Sequence, residues 1–286
     1  MGSRFVVHKT FNSIIIGCGK IAGFSSEKDL KTHAGAIQSE LRLNLIGCYD
    51  IDEKKSSHFA YKYNCKSYTS FQSVLNEKNI DLIVVCTPDD THYDIVKKIL
   101  LSISTLKVIF LEKPACQSLE EYKSLKLLSE KNGVSIIVNH TRRFNESFIH
   151  LQKLIKLGKF GTPERVNIIY YGGWKHNGIH VIDTLNFLFS DEIKWTKINN
   201  VLMSPYPKDP TIEISGNLKK NKTRIEISAI DENLYQIFEF DIWFDSFRLK
   251  IEDFGERINL ESKHLNSIGE NVLKLSNFKV DKSKKT

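Results

Sequence analysis

Short runs of continuous apolar residues recur through the first half of this chain, and nothing else in it restricts the fold as tightly. Ser13–Ile16, Leu43–Cys48, Asp81–Cys86, Lys107–Leu111 and Ser135–Val138 are the runs, each strand-sized. A strand wetted on one face alternates apolar and polar side chains. A run that stays apolar belongs to a strand covered on both faces, as in a parallel sheet with helices packed on either side. The intervening stretches supply the helices: Glu53–Tyr63, Phe71–Glu77, His92–Leu101 and Leu119–Lys131. The last opens with Ser118 and has Glu121 three residues on, the spacing of a capping box. The first half is therefore expected to be α/β, with a parallel doubly wound sheet over residues 1–140.

The rhythm changes after about Gly161. Arg165–Tyr170, Ile212–Leu218, Thr223–Ile230 and Phe238–Phe244 read as strands, and the last places Phe238, Phe240, Ile242 and Phe244 two residues apart. Period two suits an antiparallel sheet with one face buried. One helical stretch, Ile179–Phe189, interrupts this half. Residues 141–286 are thus expected to form an α+β domain with a mainly antiparallel open sheet, and the chain from about 279 to lack order.

Composition narrows the class. The net charge is +7, but the lysines are scattered or gathered in Lys219–Lys222 and Lys279–Lys285, without a basic helix interleaved with aromatics. That argues against nucleic acid and for a solvated surface, with a bias toward an anionic substrate. No apolar run is long enough for a membrane span, and Met1–Thr10 has no apolar core of a signal sequence. Five cysteines, odd in number and without C-x-x-C spacing, exclude a disulfide framework and a zinc site, so no metal is expected and the compartment is read as cytoplasmic.

The first strand runs into Gly17-Cys18-Gly19-Lys20-Ile21-Ala22, a G-x-G-x-x-A turn. Two glycines permit a tight turn and let backbone amides reach a pyrophosphate at the start of a helix. The second strand ends at Asp50, about thirty residues on, with Phe24–Lys31 as a polar insertion that accounts for the long gap. An acid there accepts hydrogen bonds from a ribose and repels a 2′-phosphate, although it is also placed to cap the next helix, and Asp52 is placed to share either job. Strand, glycines and acid in this order are a Rossmann dinucleotide-binding pattern, so NAD is the expected cofactor; Lys54 and Lys55 keep NADP open.

Further residues add a specific likeness. Thr87-Pro88 with Thr91-His92, Glu112-Lys113-Pro114, Arg143-Phe144 and Gly178-Ile179-His180-Val181-Ile182-Asp183 follow the glycine turn in order. From about Ser13 to Leu188 the chain resembles the Gfo/Idh/MocA family of NAD(P)-dependent oxidoreductases, which includes glucose–fructose oxidoreductases and inositol dehydrogenases. The resemblance implies a Rossmann domain followed by a substrate-binding domain with an open sheet, whose outer face makes a homodimer or homotetramer. It implies that the nicotinamide lies where the two domains meet, and that Lys113 and His180 act at the reacting carbon. The substrate would be a sugar, nucleotide sugar or cyclitol. In the family an aspartate stands four residues before the histidine; here that position is His176. This departure motivates a second reading, a catalytically silent NAD-binding sensor or partner-binding protein of the same fold. Family members also continue past the last strands into further helix, where this chain passes through Ile268–Phe278 to a basic tail, so a less complete closure is expected.

The residue types fit these roles. Lys113 follows a buried strand at the carboxyl edge of a parallel sheet, where doubly wound folds bind ligands, and its ammonium suits a developing alkoxide. Loss of a hydride from a secondary alcohol also requires a proton to leave, a task for the imidazole of His180 or His176. A histidine at a helix start serves equally as a packed polar residue. Asp183 shares a helical face with His180 and is a candidate to bind substrate hydroxyls or orient that ring. Arg142 and Arg143 are either a fork for substrate oxygens or surface ion-pair residues, with Arg143 the candidate carried forward. Trp174 is a sugar-stacking candidate or a core residue. Gly17, Gly19, Lys20, Ile21, Asp50, Thr87, Pro88, His92 and Glu112 are the expected cofactor contacts, with Glu112 also placed to orient Lys113; His33 and Asn139 fall near the same loops.

Overall fold

A computed structural model describes residues 9–24, 32–206 and 208–276 of the chain. The expected polar insertion beyond Phe24, the start of the N-terminal stretch and the tail from about 279 lie outside the described residues. The chain divides into two compact units, Met1–Asn139 and His140–Thr286.

The first unit holds six strands, β1 (Phe11–Ile16), β2 (Leu43–Tyr49), β3 (Lys66–Ser67), β4 (Leu82–Val85), β5 (Val108–Leu111) and β6 (Ser135–Val138). They lie in the order β3-β2-β1-β4-β5-β6, and every pairing is parallel. The apolar runs explain this arrangement. Ile14, Ile15 and Ile16 are all fully buried, Ile14 and Ile16 in one cluster and Ile15 in another, so β1 is covered on both faces. Helices α1 (His33–Ser39) and α2 (Glu53–Tyr63) pack on one face through Ile37 and Phe59. On the other face lie α3 (Phe71–Leu75), α4 (His92–Ser102) and α5 (Leu119–Asn132), through Val74, Val96 and Leu125. Ser118 caps α5 by accepting from the Glu121 amide at 3.1 Å, while the Glu121 carboxylate reaches the Gln117 amide at 2.7 Å, one residue short of the expected box. Strand order reverses between β1 and β4, and ligands of doubly wound sheets bind beyond the carboxyl ends at such a point.

The second unit contains an eight-stranded sheet and two helices, α6 (Glu146–Lys156) and α7 (Ile179–Phe189). Its strands are β7 (Pro163–Tyr171), β8 (Ile193–Leu202), β9 (Thr211–Leu218), β10 (Arg224–Ile230), β11 (Glu239–Phe244), β12 (Phe247–Glu252), β13 (Arg257–Leu265) and β14 (Asn271–Leu275), in the order β14-β13-β12-β11-β7-β10-β9-β8. Only β7 and β10 pair in parallel among the described strands. Strict alternation in β11, with Phe240, Ile242 and Phe244 buried, turns one face onto α6 and α7, where Phe148, Leu151, Val181 and Leu185 complete the core. The opposite face carries Asn167, Asp241, Arg248 and Lys250.

Candidate functional site

The Gly17 turn leaves β1 at the point of strand reversal. Gly17 takes left-handed backbone (φ +89°), and a Cβ on it would lie 2.7 Å from the carbonyl group of Cys86. That contact forces glycine and brings the turn against the loop after β4. A Cβ at Gly19 would meet nothing within 4 Å, so this face of the turn is open to a ligand. Around it runs a groove of about 660 Å³, lined by Gly17, Gly19, Asp50, Lys55, Thr87 and Pro88 among others. Asp50 accepts the Cys18 amide at 2.7 Å through one oxygen and the Asp52 amide at 2.9 Å through the other. It thus braces the turn while lining the groove, and the helix cap belongs to Asp52, which accepts from the Lys54 and Lys55 amides. Lys20 and Ile21 are exposed, and Ala22 is buried. The turn opens into one π-helical segment of five residues, Lys20–Phe24. Open space at Gly19 beside a carboxylate acceptor and amide donors is the combination that a dinucleotide needs.

Beyond β5 the chain presents Glu112, Lys113 and Pro114. Lys113 is half-buried. Glu112 Oε1 accepts from His33 Nε2 and from Asn139 Nδ2, both at 2.7 Å, and its carboxylate also takes the Lys113 backbone amide. Burial pushes its carboxyl up, but the hydrogen bonds from His33 and Asn139 outweigh this and hold it below its ordinary value. His92 is almost fully buried, with Nδ1 at 2.7 Å from the Pro114 carbonyl and Nε2 at 2.9 Å from the Thr87 carbonyl. Its ring nitrogens are committed to the backbone, so its expected service as a cofactor contact gives way to holding loops that line the groove. Glu112, expected among the cofactor contacts and as the orienter of Lys113, is likewise engaged with His33 and Asn139.

In the second unit, β7 ends in a π-helical turn, Gly173–Gly178, that leads into α7. Asp209, buried and far along the chain, accepts the Lys175 amide at 2.7 Å and the His176 amide at 2.9 Å, and so caps this turn from outside. The exposed His176 ring stacks on Tyr206 with centroids 4.0 Å apart. His180, one residue into α7, stands edge-on to His140 at 6.3 Å. Asp183 is held by Arg143, with Nε 2.9 Å from Oδ1 and a terminal nitrogen at 2.7 Å, and His140 Nδ1 approaches its other oxygen at 3.7 Å. Asp183 is thus engaged by Arg143, its ion-pair partner, and approached by His140. Trp174 turns into the core, edge-on to Tyr170 and Trp195, so packing accounts for it without a substrate.

The sequence motifs passed over Glu232 and His140 in this unit and left Arg142 behind Arg143. Arg142 lies over the Phe238 ring at 3.8 Å and donates to the Phe254 carbonyl at 3.3 Å. Its buried Nε has no acceptor and no carboxylate pairs with it among the described residues, and burial pulls its pKa down to about 10. The buried Oε2 of Glu232 likewise lacks a partner there, and the neighbouring Tyr171 phenol is pushed up by burial and then by the Glu232 charge. His140 follows the end of β6, a strand-end position that a search by motif overlooks.

Residues 11–140 match the model of an oxidoreductase family described as an NAD-binding Rossmann fold. An inositol 2-dehydrogenase of Rhizobium meliloti is 28% identical over 193 residues, covering 62% of this chain and 54% of the relative. The chain spans about half the length of the curated relatives it matches. Among solved structures, a dehydrogenase (MviM) from Clostridium difficile superposes with a TM-score of 0.73 at 20% identity, covering 94% of this chain and 84% of that one. The WlbA dehydrogenase from Bordetella pertussis, in complex with NADH and UDP-GlcNAcA, gives 0.74 at 17% identity over 87% of this chain and 76% of its own. These likenesses show the fold. No helix among the described residues is long and apolar enough to cross a membrane.

Proposed function

We propose that this chain, whose residues 11–140 match the NAD-binding Rossmann model of the Gfo/Idh/MocA oxidoreductase family, moves a hydride between NAD and a secondary alcohol or ketone of a sugar, nucleotide sugar or cyclitol. The observation that carries the reading is the turn at Gly17, wedged against the loop after β4, with open space at Gly19 and Asp50 beside it in a groove of about 660 Å³. The Gly17 and Cys18 amides are given to Tyr49 and Asp50, so the amides from Gly19 onward hold the pyrophosphate, Asp50 takes ribose hydroxyls, and Thr87 and Pro88 line the groove. When bound, NAD supplies the carbon that gives or takes the hydride. Lys113 polarises the substrate oxygen, and His180 takes or returns its proton. His176, exposed and stacked on Tyr206, shares that proton. Arg142, a half-buried guanidinium without a carboxylate partner among the described residues, suits an anionic substituent such as a carboxylate or phosphate. The name of the Rhizobium meliloti relative supports a cyclitol, and the UDP-GlcNAcA in the WlbA structure a nucleotide-linked sugar acid. The outer face of the second sheet, with Asn167, Asp241, Arg248 and Lys250, is assigned to self-association.

NADH fluorescence titration, followed by a turnover screen with sugars, keto-sugars, sugar acids and cyclitols, tests the reading. Lys113→Ala and His180→Ala are each expected to lower kcat about a hundredfold while NADH binding persists. Binding without turnover across the panel, or turnover indifferent to Lys113→Ala, would favour the silent NAD-binding protein instead. The specific observation behind that second reading is His176, an exposed ring in the position where the family resemblance implies an acid.

A further inference from the structure

Around Lys113 the hydrogen bonds converge on its two neighbours in sequence. The Glu112 amide donates to the Val85 carbonyl at 3.0 Å, the last bond tying this segment to β4. Past it, Glu112 Oε1 takes two donors at 2.7 Å, one from His33 at the start of α1 and one from Asn139 just after β6. The Glu112 carboxyl is held below its ordinary value, so it accepts and His33 Nε2 donates. Both side chains of that pair are little exposed, 12% and 15%. On the other side of Lys113, the Pro114 carbonyl accepts from His92, and the same ring reaches back to the Thr87 carbonyl in the wall of the groove. A carbonyl oxygen only accepts and a neutral imidazole carries one N–H, so the ring donates to one of these two carbonyls at a time and lies against the other.

We propose that His33 and His92 form a two-sided clamp on the Glu112-Lys113-Pro114 segment and are positioning residues for Lys113. The proposal rests on the assignment of Lys113 made above. His33 fixes the segment to α1 through Glu112, which Asn139 also ties to the end of β6. His92 fixes it to Thr87, so the presentation of Lys113 and the shape of the groove wall move together. Side chains with only packing roles would not spend three short polar contacts on the residues flanking one lysine. The clamp also explains how the chain tolerates the long interval between the Gly17 turn and α1: His33 sits at the far end of that interval and makes its contact with Glu112 from there.

Substitutions separate the two arms. His33→Leu and His92→Leu remove the donors, while His33→Gln restores one at the Nε2 position, His92→Gln the arm to Thr87, and His92→Asn the arm to Pro114. The primary readout needs no substrate: the rate at which Lys113 is modified by an amine-acylating reagent, followed by peptide mass spectrometry and normalised to Lys250 in the other unit. The leucine variants are expected to change Lys113 labelling at least threefold, and His33→Gln to return it to within twofold of wild type. His92→Leu is also expected to weaken NADH binding severalfold, with His92→Gln recovering most of it and His92→Asn little. Where the turnover screen yields a substrate, kcat falls at least tenfold in the leucine variants with KM within twofold. Folded leucine variants with unchanged Lys113 labelling and NADH affinity would overturn the clamp. Should a leucine variant fail to fold, identical labelling and NADH affinity in wild type, His92→Gln and His92→Asn overturns it instead. Loss of the enzymatic reading alone would show as changed labelling without turnover in any form of the protein, wild type included.

Discussion

Gly17 and Gly172 each follow a strand interior to its sheet, β1 in one unit and β7 in the other, and both take left-handed backbone, φ +89° and +48°. What crowds them differs. At Gly17 the obstacle is the main chain of Cys86 and Thr87, fixed by the pairing of β4. At Gly172 it is the carboxylate of Glu232, and at Gly173 (φ +69°) the carboxylate of Asp209, both at the ends of rotatable side chains. A turn boxed in by backbone has one shape. A turn held by carboxylates can be reshaped by changing one residue. That contrast gives the first turn one fixed shape and leaves the second adjustable.

The contrast is broken or upheld most sharply by Gly17→Ala. Left-handed backbone costs a non-glycine residue about 1–2 kcal/mol, and overlap with fixed main chain adds to this, for an expected total of about 3 kcal/mol. Chemical denaturation should record that loss, and NADH titration a drop in affinity of at least a hundredfold. Gly173→Ala carries the same backbone cost but meets only the Asp209 carboxylate and the Tyr206 ring, so about half the destabilisation and unchanged NADH affinity are expected. Equal losses of stability in the two variants would end the distinction.

The next effect in size concerns the carboxylate that shapes the second turn. Asp209→Ala leaves the Lys175 and His176 amides without their acceptors, at about 2 kcal/mol. Asp209→Asn keeps one accepting oxygen and should recover about half. NADH affinity is expected to hold in both, because the groove lies wholly among residues of the first unit. A fall in NADH affinity on Asp209→Ala would show that the two turns do not act separately.

The same contrast decides how much the sequence could disclose. Strands β1, β4 and β5 were legible because burial on both faces leaves an unbroken apolar run, and β11 because one buried face leaves an alternation. Strand β8 was not, since most of Ile193–Leu202 is exposed and follows neither pattern, and β3 has only two residues. The amphipathic α6 went unread between the two rhythms. At the site, Gly17, Gly19 and Asp50 stand in a local order that names their chemistry. Asp209 reaches His176 across 33 positions and Arg142 reaches Phe254 across 112, and no spacing announces such pairs. Arg142 and Arg143 are identical in type and adjacent. Only the fold separates them, giving Arg143 the Asp183 carboxylate and leaving Arg142 against Phe238.

Acid offers the mildest probe of the first region. Glu112 is held below its ordinary carboxyl value, 4.5, by His33 and Asn139 against the opposing effect of burial. A depressed folded-state value means that the ion contributes stability above the unfolded value, and that the contribution is lost as pH falls through the folded one. Glu112→Gln keeps an oxygen for both donors but has no proton to take up. At neutral pH it is expected to cost about 1 kcal/mol, the difference between a charge-assisted hydrogen bond and a neutral one. Below pH 4.5 the stabilities of wild type and variant should converge, because the wild-type carboxyl is then becoming neutral as well. Denaturation of both proteins between pH 7 and pH 3 measures the gap; other depressed carboxyls, such as Asp81 and Glu226, titrate alike in the two and cancel. A gap that stays constant through that window would mean that Glu112 braces the lysine loop by shape alone. The rigidity of the first region would then owe nothing to the Glu112 charge and would rest on main-chain packing of the kind seen at Gly17.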